Sequence, residues 1–312
     1  MLSVDFSLKK FQYYPLPWPK EKEVTGMKLI AIDLDGTLLS RDIQITRENI
    51  EALQKVQNAG HVVMICSGRA PEDIQQILHH YELSCPLAGS NGTVVKAEGR
   101  LLADVSMSAG DIEHIAQKLD AEKTPYRIYT NQGIYVPADW SERVALALQG
   151  ETIKVEGLTE ETFKRITEQP QQSDIIKYFD GYHELLSIPG LTVQKFFILT
   201  LNEQVKSTLS TFLNGISGVV TTSSGPMNLE VMDQNGNKGN ALKVAADYYG
   251  IPLEDTVAIG DNFNDIPMLQ IAGFSIAMGN ADPLVKEICD AVTLSNEENG
   301  VAYAMEEFIL KQ

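Results

Sequence analysis

Short, uninterrupted apolar runs that end in polar residues are the feature that most constrains the fold of this chain. Residues 29–32 read LIAI, residues 61–66 read HVVMIC and residues 256–260 read TVAIG. Runs of this length, bounded by turn-forming residues, are typical of strands buried on both faces in a parallel sheet.

Amphipathic helix patterns separate these runs. After the first run, Thr46 is a good helix N-cap, an apolar face repeats at helical spacing, and Gly60 marks the end. After the second run, Pro71 suits the first turn of another such helix. This alternation of strands and helices predicts an α/β fold with a doubly wound, mostly parallel sheet.

The segment 108–232 has a different pattern. Helix patterns occur at its beginning and near 159–168 and 203–214, between strand-like runs at 126–130, 133–137, 193–200 and 218–222. The alternation of short apolar runs and amphipathic helix patterns returns after this segment. We therefore predict one domain formed by residues 27–107 and 233–312, interrupted by an α+β domain of residues 108–232.

Residues 1–26 form a separate segment that contains prolines and aromatic residues without a clear period. Lys22-Glu23-Val24 can be encoded AAG-GAG-GTG, a bacterial ribosome-binding sequence at a normal distance from an ATG codon. The two interpretations are an ordinary N-terminal extension and a misassigned start, with translation beginning at Met27.

Composition and charge limit the possible functions. The net charge of −17 argues against nucleic acids and anionic membrane surfaces as partners. No apolar stretch approaches the roughly 20 residues of a membrane span. The three cysteines are far apart, which argues against a disulfide framework or a structural zinc site and fits a reducing cytoplasm. We expect a cytoplasmic monomer or homodimer.

Polar residues follow the apolar runs. In an open parallel sheet, ligands bind at the carboxyl ends of the strands, so these residues are expected to converge there. They are Asp33 and Asp35 after the first run, Ser67 after the second, and Asp261, Asn264 and Asp265 after the third, with Lys238 at the start of a predicted helix.

Asp33 and Asp35 lie two residues apart in an extended segment, so both side chains are expected to project together, with Leu34 turned away. Two carboxylates at this distance repel each other, and a divalent cation removes that conflict. Taken alone, the stretch is also explained by an Asp-Gly turn after a strand.

Together, these motifs resemble those of the haloacid dehalogenase superfamily phosphatases of the Cof-type branch, from Met27 to the C-terminus. DLDGTLL is similar to the first motif DxDGT, CSGR to the second motif [ST]GR, and Lys238 in GNKGNAL to the third. GDNFNDIPML is similar to the fourth motif, GDxxND. The resemblance implies a Rossmann-like core, an inserted cap domain, and a Mg²⁺-dependent phosphatase that forms an aspartyl-phosphate.

The resemblance also implies a role for each motif residue. Asp33 is expected to be the nucleophile and Asp35 the general acid and base. The implied Mg²⁺ ligands are Asp33, the main-chain carbonyl of Asp35, and Asp261. The other implied roles are phosphate binding by Leu34, Ser67, Gly68, Lys238 and Asn264, orientation of Asp35 by Thr37, and support of the Mg²⁺ waters or of Lys238 by Asp265.

The cap of this branch contacts the leaving group, which makes Arg127, Tyr129 and Tyr135 candidates for contacting a sugar or base. A solvated strand face and the cap's own core are the alternatives for each of them. Asn91 is explained by an Asn-Gly turn, with the entrance of the site as the alternative.

We expect hydrolysis of a small phosphorylated metabolite, such as a sugar phosphate, a nucleotide or a related phosphomonoester. The alternatives are a phosphomutase and a sensor that binds a phosphometabolite without turnover. Asp35 favours a phosphatase or phosphomutase within the superfamily, and a pure binder has no need of both Asp33 and Asp35.

Overall fold

The computed structural model describes residues 26–149 and 160–311. Within these ranges the chain forms two β-sheets with helices packed on them, which confirms the predicted α/β class. Residues 1–25 lie outside the described residues, and with them the two interpretations of the segment 1–26. In the described ranges, no helix combines the length and the apolar character needed to cross a membrane.

The secondary structure elements are numbered here along the described chain. The strands are β1 (Leu29–Asp33), β2 (Val62–Cys66), β3 (Leu87–Gly89), β4 (Val94–Ala97), β5 (Arg100–Asp104), β6 (Tyr126–Thr130), β7 (Gly133–Pro137), β8 (Ile176–Phe179), β9 (Val193–Leu199), β10 (Val219–Thr222), β11 (Asn228–Asp233), β12 (Thr256–Gly260), β13 (Phe274–Ala277) and β14 (Ala291–Val292). The α-helices are α1 (Arg47–Asn58), α2 (Pro71–His80), α3 (Ala109–Ala121), α4 (Trp140–Ala147), α5 (Glu160–Thr167), α6 (Tyr182–Ser187), α7 (Glu203–Asn214), α8 (Lys238–Tyr249), α9 (Ile266–Ile271), α10 (Pro283–Glu287) and α11 (Gly300–Met305).

The first sheet has the strand order β14-β13-β12-β1-β2-β3-β4-β5. All neighbouring strands are parallel except β3 with β4 and β4 with β5. Every residue of β1 is buried between β12 and β2, as the apolar run predicts. The carboxyl ends of β1, β2 and β12 therefore meet at one edge of this sheet.

Helix ends agree with the capping residues in the sequence. Thr46 accepts a hydrogen bond from the Asn49 N–H at 3.3 Å and begins α1. Asn237 caps α8 in the same way, through the Asn240 N–H at 2.9 Å. This cap places Lys238 in the first turn of α8, next to the carboxyl ends of the parallel strands.

The second sheet has the order β10-β11-β9-β6-β7-β8 and is antiparallel except for β7 with β8. Helices α3, α6 and α7 contribute to the hydrophobic cluster on one face, and α4 and α5 to the cluster on the other. The chain enters this region after β5 and leaves it after β11. The proposed boundary at residue 232 falls one residue before the end of β11, whose residues Asn228–Asp233 pair with β9 and β10.

Candidate active site

The two aspartates at the end of β1 line the same cavity but have different partners. Asp33 is buried, with 4% of its surface exposed, and accepts a hydrogen bond from Lys238 Nζ. Asp35 is exposed, and Arg69 donates to its two carboxylate oxygens at 2.7 and 2.6 Å. The two carboxylates therefore reach the same cavity without sharing a partner.

The residues that follow Asp33 explain this geometry. The Leu34 side chain is fully buried in the core, so only its main chain is available for the predicted phosphate contact. Gly36 has φ of +84°, and a Cβ at this position would lie 2.5 Å from Asp261 Oδ2. The turn therefore requires glycine both for its conformation and for the close approach of Asp261.

Lys238 is fully buried between two carboxylates. Its Nζ lies 2.5 Å from Asp33 Oδ1 and 2.5 Å from Asp265 Oδ1. Burial alone would lower the pKa of Lys238, but Asp265 and Asp33 raise it above its ordinary value. The lysine therefore remains a cation next to Asp33, as its predicted role in charge neutralisation requires.

Three carboxylates converge at this point. Asp33, Asp261 and Asp265 each offer an oxygen, and these oxygens lie within 4.8 Å of one another. Burial and the Asp265 carboxylate raise the pKa of Asp33 well above its ordinary value and that of Asp261 to about 7. Lys238 alone therefore does not neutralise the cluster, and a hard divalent cation with oxygen ligands fits the donor set.

Two of the residues around the cluster have well-defined supporting contacts. Asp265 Oδ2 accepts the main-chain N–H groups of Asp261 and Asn262 at 2.9 and 3.0 Å, and its other oxygen faces Lys238. Both of its oxygens are engaged, which supports the predicted role of holding Lys238. The buried Thr37 hydroxyl donates to Asp261 Oδ1 at 2.9 Å. The structure therefore gives Thr37 a contact with Asp261 where we predicted one with Asp35.

The loop after β2 brings Ser67 and Gly68 to the cavity. Ser67 is 1% exposed, and its Oγ accepts a hydrogen bond from the Arg69 N–H at 3.1 Å. A Cβ on Gly68 would lie 3.0 Å from Asn91 Oδ1 and 3.5 Å from Lys195 Nζ. Glycine at this position therefore allows the close approach of Asn91, while the distance to Lys195 is an ordinary contact.

Asn264 lines the cavity and connects to the second sheet through Asn91. Its Nδ2 donates to Asn91 Oδ1 at 3.2 Å, and Asn91 Nδ2 donates to Glu230 Oε2. Ser90 and Asn91 are both buried and both have positive φ, 50° and 62°. A buried residue pair in this conformation is typical of a functional site, and the Asn-Gly turn supports two residues that line the cavity, Asn264 and Glu230.

The three candidate residues of the second sheet have different locations. Tyr129 lines the cavity. Arg127 packs over the rings of Trp140 and Phe197, at 4.8 and 5.7 Å from their centroids, and is not among the cavity residues. Tyr135 belongs to the hydrophobic cluster on the opposite face of the sheet. These locations do not support substrate contacts by Arg127 or Tyr135.

The cavity also contains residues that sequence reasoning missed. The available signal was a charged residue between apolar ones, Lys195 in VQKFFIL and Glu230 in NLEVMD. The cavity has a volume of about 200 Å³ and lies between the two sheets. Its lining residues are Asp33, Asp35, Ser67, Gly68, Arg69, Tyr129, Lys195, Phe197, Ser224, Glu230, Asn262 and Asn264.

The chain is similar to known phosphatases over nearly its whole length. The chain is 32% identical to the phosphatase YwpJ of Bacillus subtilis, over 91% of this chain and all of that protein. It is 33% identical to the B. subtilis 5-amino-6-(5-phospho-D-ribitylamino)uracil phosphatase YwtE, over 92% and 99% of the two chains.

The fold is also similar to that of a solved structure. A haloacid dehalogenase-like hydrolase from B. subtilis superposes with a TM-score of 0.80 at 31% identity, covering 91% of this chain and 100% of that one. The sequence model of this family matches residues 30–305, from β1 to the last α-helix. The motifs at the strand ends, the two-sheet architecture and these relatives agree, and the chain belongs to the haloacid dehalogenase-like hydrolases as a phosphatase.

Proposed function

We propose that this enzyme is a Mg²⁺-dependent phosphatase that hydrolyses small phosphomonoesters through an aspartyl-phosphate on Asp33, in the cytoplasm. The observation that carries the proposal is the position of Asp33. Its buried carboxylate lies in a cavity with Lys238 on one side, and Asp35 lines the same cavity. The free thiols of the three cysteines are consistent with a reducing compartment.

In the first step, an Asp33 carboxylate oxygen attacks the phosphorus atom, and the bond between phosphorus and the leaving oxygen breaks. Lys238 neutralises the negative charge that the nucleophile and the phosphoryl group bring together. Asp35, in its protonated form, gives its proton to the leaving oxygen. Arg69 therefore has to release at least one carboxylate oxygen of Asp35 before this step.

In the second step, Asp35 accepts a proton from water, whose oxygen attacks the phosphorus of the aspartyl-phosphate. The bond between phosphorus and the Asp33 oxygen breaks, which releases inorganic phosphate and restores the carboxylate. Ser67 and the Gly68 N–H hold phosphate oxygens in both steps, next to Asn264. Phosphoryl transfer needs mainly such positioning and neutralisation of charge.

Mg²⁺ is the metal that we assign to the acidic cluster. Asp33 and Asp261 would hold it with the main-chain carbonyl of Asp35, because both oxygens of Asp265 are already engaged. When bound, the ion supplies positive charge that keeps these carboxylates ionised and compensates the phosphate dianion.

The leaving group is expected to be small and partly apolar. The cavity volume of about 200 Å³ lies below the range of roughly 300–1,000 Å³ that is usual for larger ligands. Tyr129 and Phe197 offer aromatic rings, while Ser224 and Asn262 offer polar atoms. Sugar phosphates have this size, while nucleotides and the phosphoribityl compound named for YwtE are larger and test the size limit, and we propose all three as the first substrates to test.

The test is phosphate release from this panel by the full chain, with and without Mg²⁺. Asp33→Asn should abolish release, and Asp42→Asn, at an exposed position of the following loop, should not. Asp35→Asn removes the acid of the first step and the base of the second. With p-nitrophenyl phosphate, whose leaving group needs no proton, only the second step should slow, so that intact mass spectrometry finds protein heavier by one phosphoryl group. Equal release by wild type and Asp33→Asn would overturn the proposal.

A further inference from the structure

Lys195 and Glu230 form a buried ion pair at the boundary between the two sheets. Their side chains are 1% and 3% exposed, and Lys195 Nζ lies 2.7 Å from Glu230 Oε2. Burial and the loss of hydration make such a pair costly unless all its polar atoms have partners. The partners of both side chains therefore indicate what the pair does.

Glu230 is fully engaged and serves to hold Lys195. Its Oε1 accepts from Ser224 Oγ at 2.6 Å and from Asn228 Nδ2 at 3.1 Å, and its Oε2 accepts from Asn91 and Lys195. Burial alone would raise the pKa of Glu230, but Lys195 and these donors lower it below its ordinary value. The carboxylate therefore stays ionised and leaves no lone pair for a substrate.

Lys195 uses its remaining contacts on the other sheet and on an aromatic ring. Its Nζ donates to the main-chain carbonyl of Gly68 at 2.6 Å and lies 4.5 Å from the centroid of the Tyr129 ring. Two of the three N–H bonds of the ammonium group thus donate to Glu230 and Gly68, and the group lies over the Tyr129 ring. Lys195 lines the cavity with its ammonium group held by groups of the protein itself.

The Gly68 carbonyl belongs to the same peptide group as the Arg69 N–H. That N–H donates to Ser67 Oγ at 3.1 Å. A cation on the carbonyl end of a peptide strengthens the donor at the N–H end. The Arg69 N–H occupies an acceptor site of the Ser67 oxygen, so the hydroxyl proton of Ser67 is left to point at a phosphate oxygen.

We propose that Lys195 is a positioning residue for phosphate binding: from the second sheet it fixes the peptide group between Gly68 and Arg69, which orients the Ser67 hydroxyl. The inference rests on the proposed function, in which Ser67 binds phosphate. Its consequence is that the phosphate site of the first sheet is complete only when the second sheet is in contact with it.

This role differs from recognition of the leaving group in a measurable way. A residue that contacts the leaving group affects only those substrates that carry the recognised atoms. A residue that acts through Ser67 affects every phosphomonoester, and inorganic phosphate as well. The probes are therefore p-nitrophenyl phosphate and inorganic phosphate as a competitive inhibitor, both with Mg²⁺ and the full chain.

The experiment is a double-mutant cycle with Ser67→Ala and Lys195→Met. We expect Lys195→Met to weaken inhibition by inorganic phosphate on the order of tenfold, the loss typical of one hydrogen bond to a charged group. In the Ser67→Ala protein, Lys195→Met should cause less than a twofold further change. Loss of folded protein would lower kcat per mole of protein but leave the inhibition constant of phosphate unchanged.

Two further variants keep the test decisive. Lys195→Met with Glu230→Gln avoids a buried unpaired carboxylate and should reproduce the effect on phosphate. Lys177→Met is the matched control, because Lys177 has the same kind of contacts in the second sheet: its Nζ donates to the Gln132 carbonyl at 2.7 Å and lies 5.5 Å from the Tyr135 ring. It should leave phosphate inhibition unchanged.

The inference is overturned if the two effects add in the double variant, or if Lys195→Met with Glu230→Gln binds phosphate like wild type. Failure of the proposed function looks different, because Ser67→Ala and Asp33→Asn would then leave phosphate release and phosphate inhibition unaltered.

Discussion

Raising the pH is predicted to destabilise the metal-free protein, and Mg²⁺ is predicted to remove this effect. Asp261 has its pKa raised to about 7 by burial and by Asp265. The folded protein therefore keeps a proton that the unfolded chain releases near pH 4. The associated stability is complete below pH 4 and is lost as the pH rises through the folded pKa near 7.

The structure sets an upper limit on this effect. One pH unit between the folded and the unfolded pKa corresponds to about 1.4 kcal/mol, so a rise from 3.8 to about 7 corresponds to at most about 4 kcal/mol. Asp261 is only partly buried, and solvent screening reduces the expected loss to about 1–2 kcal/mol. A loss of this size lowers the melting temperature by several degrees.

The assay is thermal unfolding of the chelator-treated full chain, followed by circular dichroism between pH 5 and pH 8. The melting temperature should fall toward pH 8 without metal and recover with Mg²⁺, which takes the place of the proton. Asp261→Asn cannot ionise and should make the metal-free curve less steep, with the remaining slope due to Asp33, whose pKa is also raised. The reasoning is refuted if Asp261→Asn has the same pH dependence as wild type, whatever other groups titrate in this range.

Two other substitutions test the geometry around Asp33. Gly36→Ala places a Cβ 2.5 Å from Asp261 Oδ2 and should weaken Mg²⁺ activation at least tenfold in a metal titration of phosphate release. Gly99→Ala is its control, with a similar φ of +74° and open space around the new Cβ, and an equal effect of both variants would count against a local cause. Lys238→Met leaves two buried carboxylates without their cation and should destabilise the protein by about 3–5 kcal/mol in urea unfolding. A midpoint within error of wild type would contradict this.

Sequence alone predicted the first sheet well because its apolar runs are almost uninterrupted, with the polar residues His61 and Thr256 only at their first positions. The runs at β1, β2 and β12 are typical of buried parallel strands, and the carboxyl ends of such strands meet at one edge of the sheet. The second sheet was predicted less completely. Its strands β8 and β11 and helices α4 and α6 were not predicted, because polar residues interrupt their short apolar patterns.

The candidate site, too, was predicted from sequence only in part. Residues of the motifs reach the cavity because strand ends place them there. The orientation of Asp35 depends on Arg69, and the face on which Tyr135 lies depends on its pairing with Ile128. Strand register and side-chain pairing are set by tertiary contacts, so local sequence could not predict either one.

The position of β1 in the first sheet also has a consequence for how the protein folds. Leu29 pairs with Val62 on one side but with Thr256 on the other, after the whole second sheet. During synthesis, β1 can therefore join β2 early, whereas β12 emerges from the ribosome only after β6 to β11. Such long sequence separation slows folding. The strand that carries Asp33 remains an open sheet edge until most of the chain has been made.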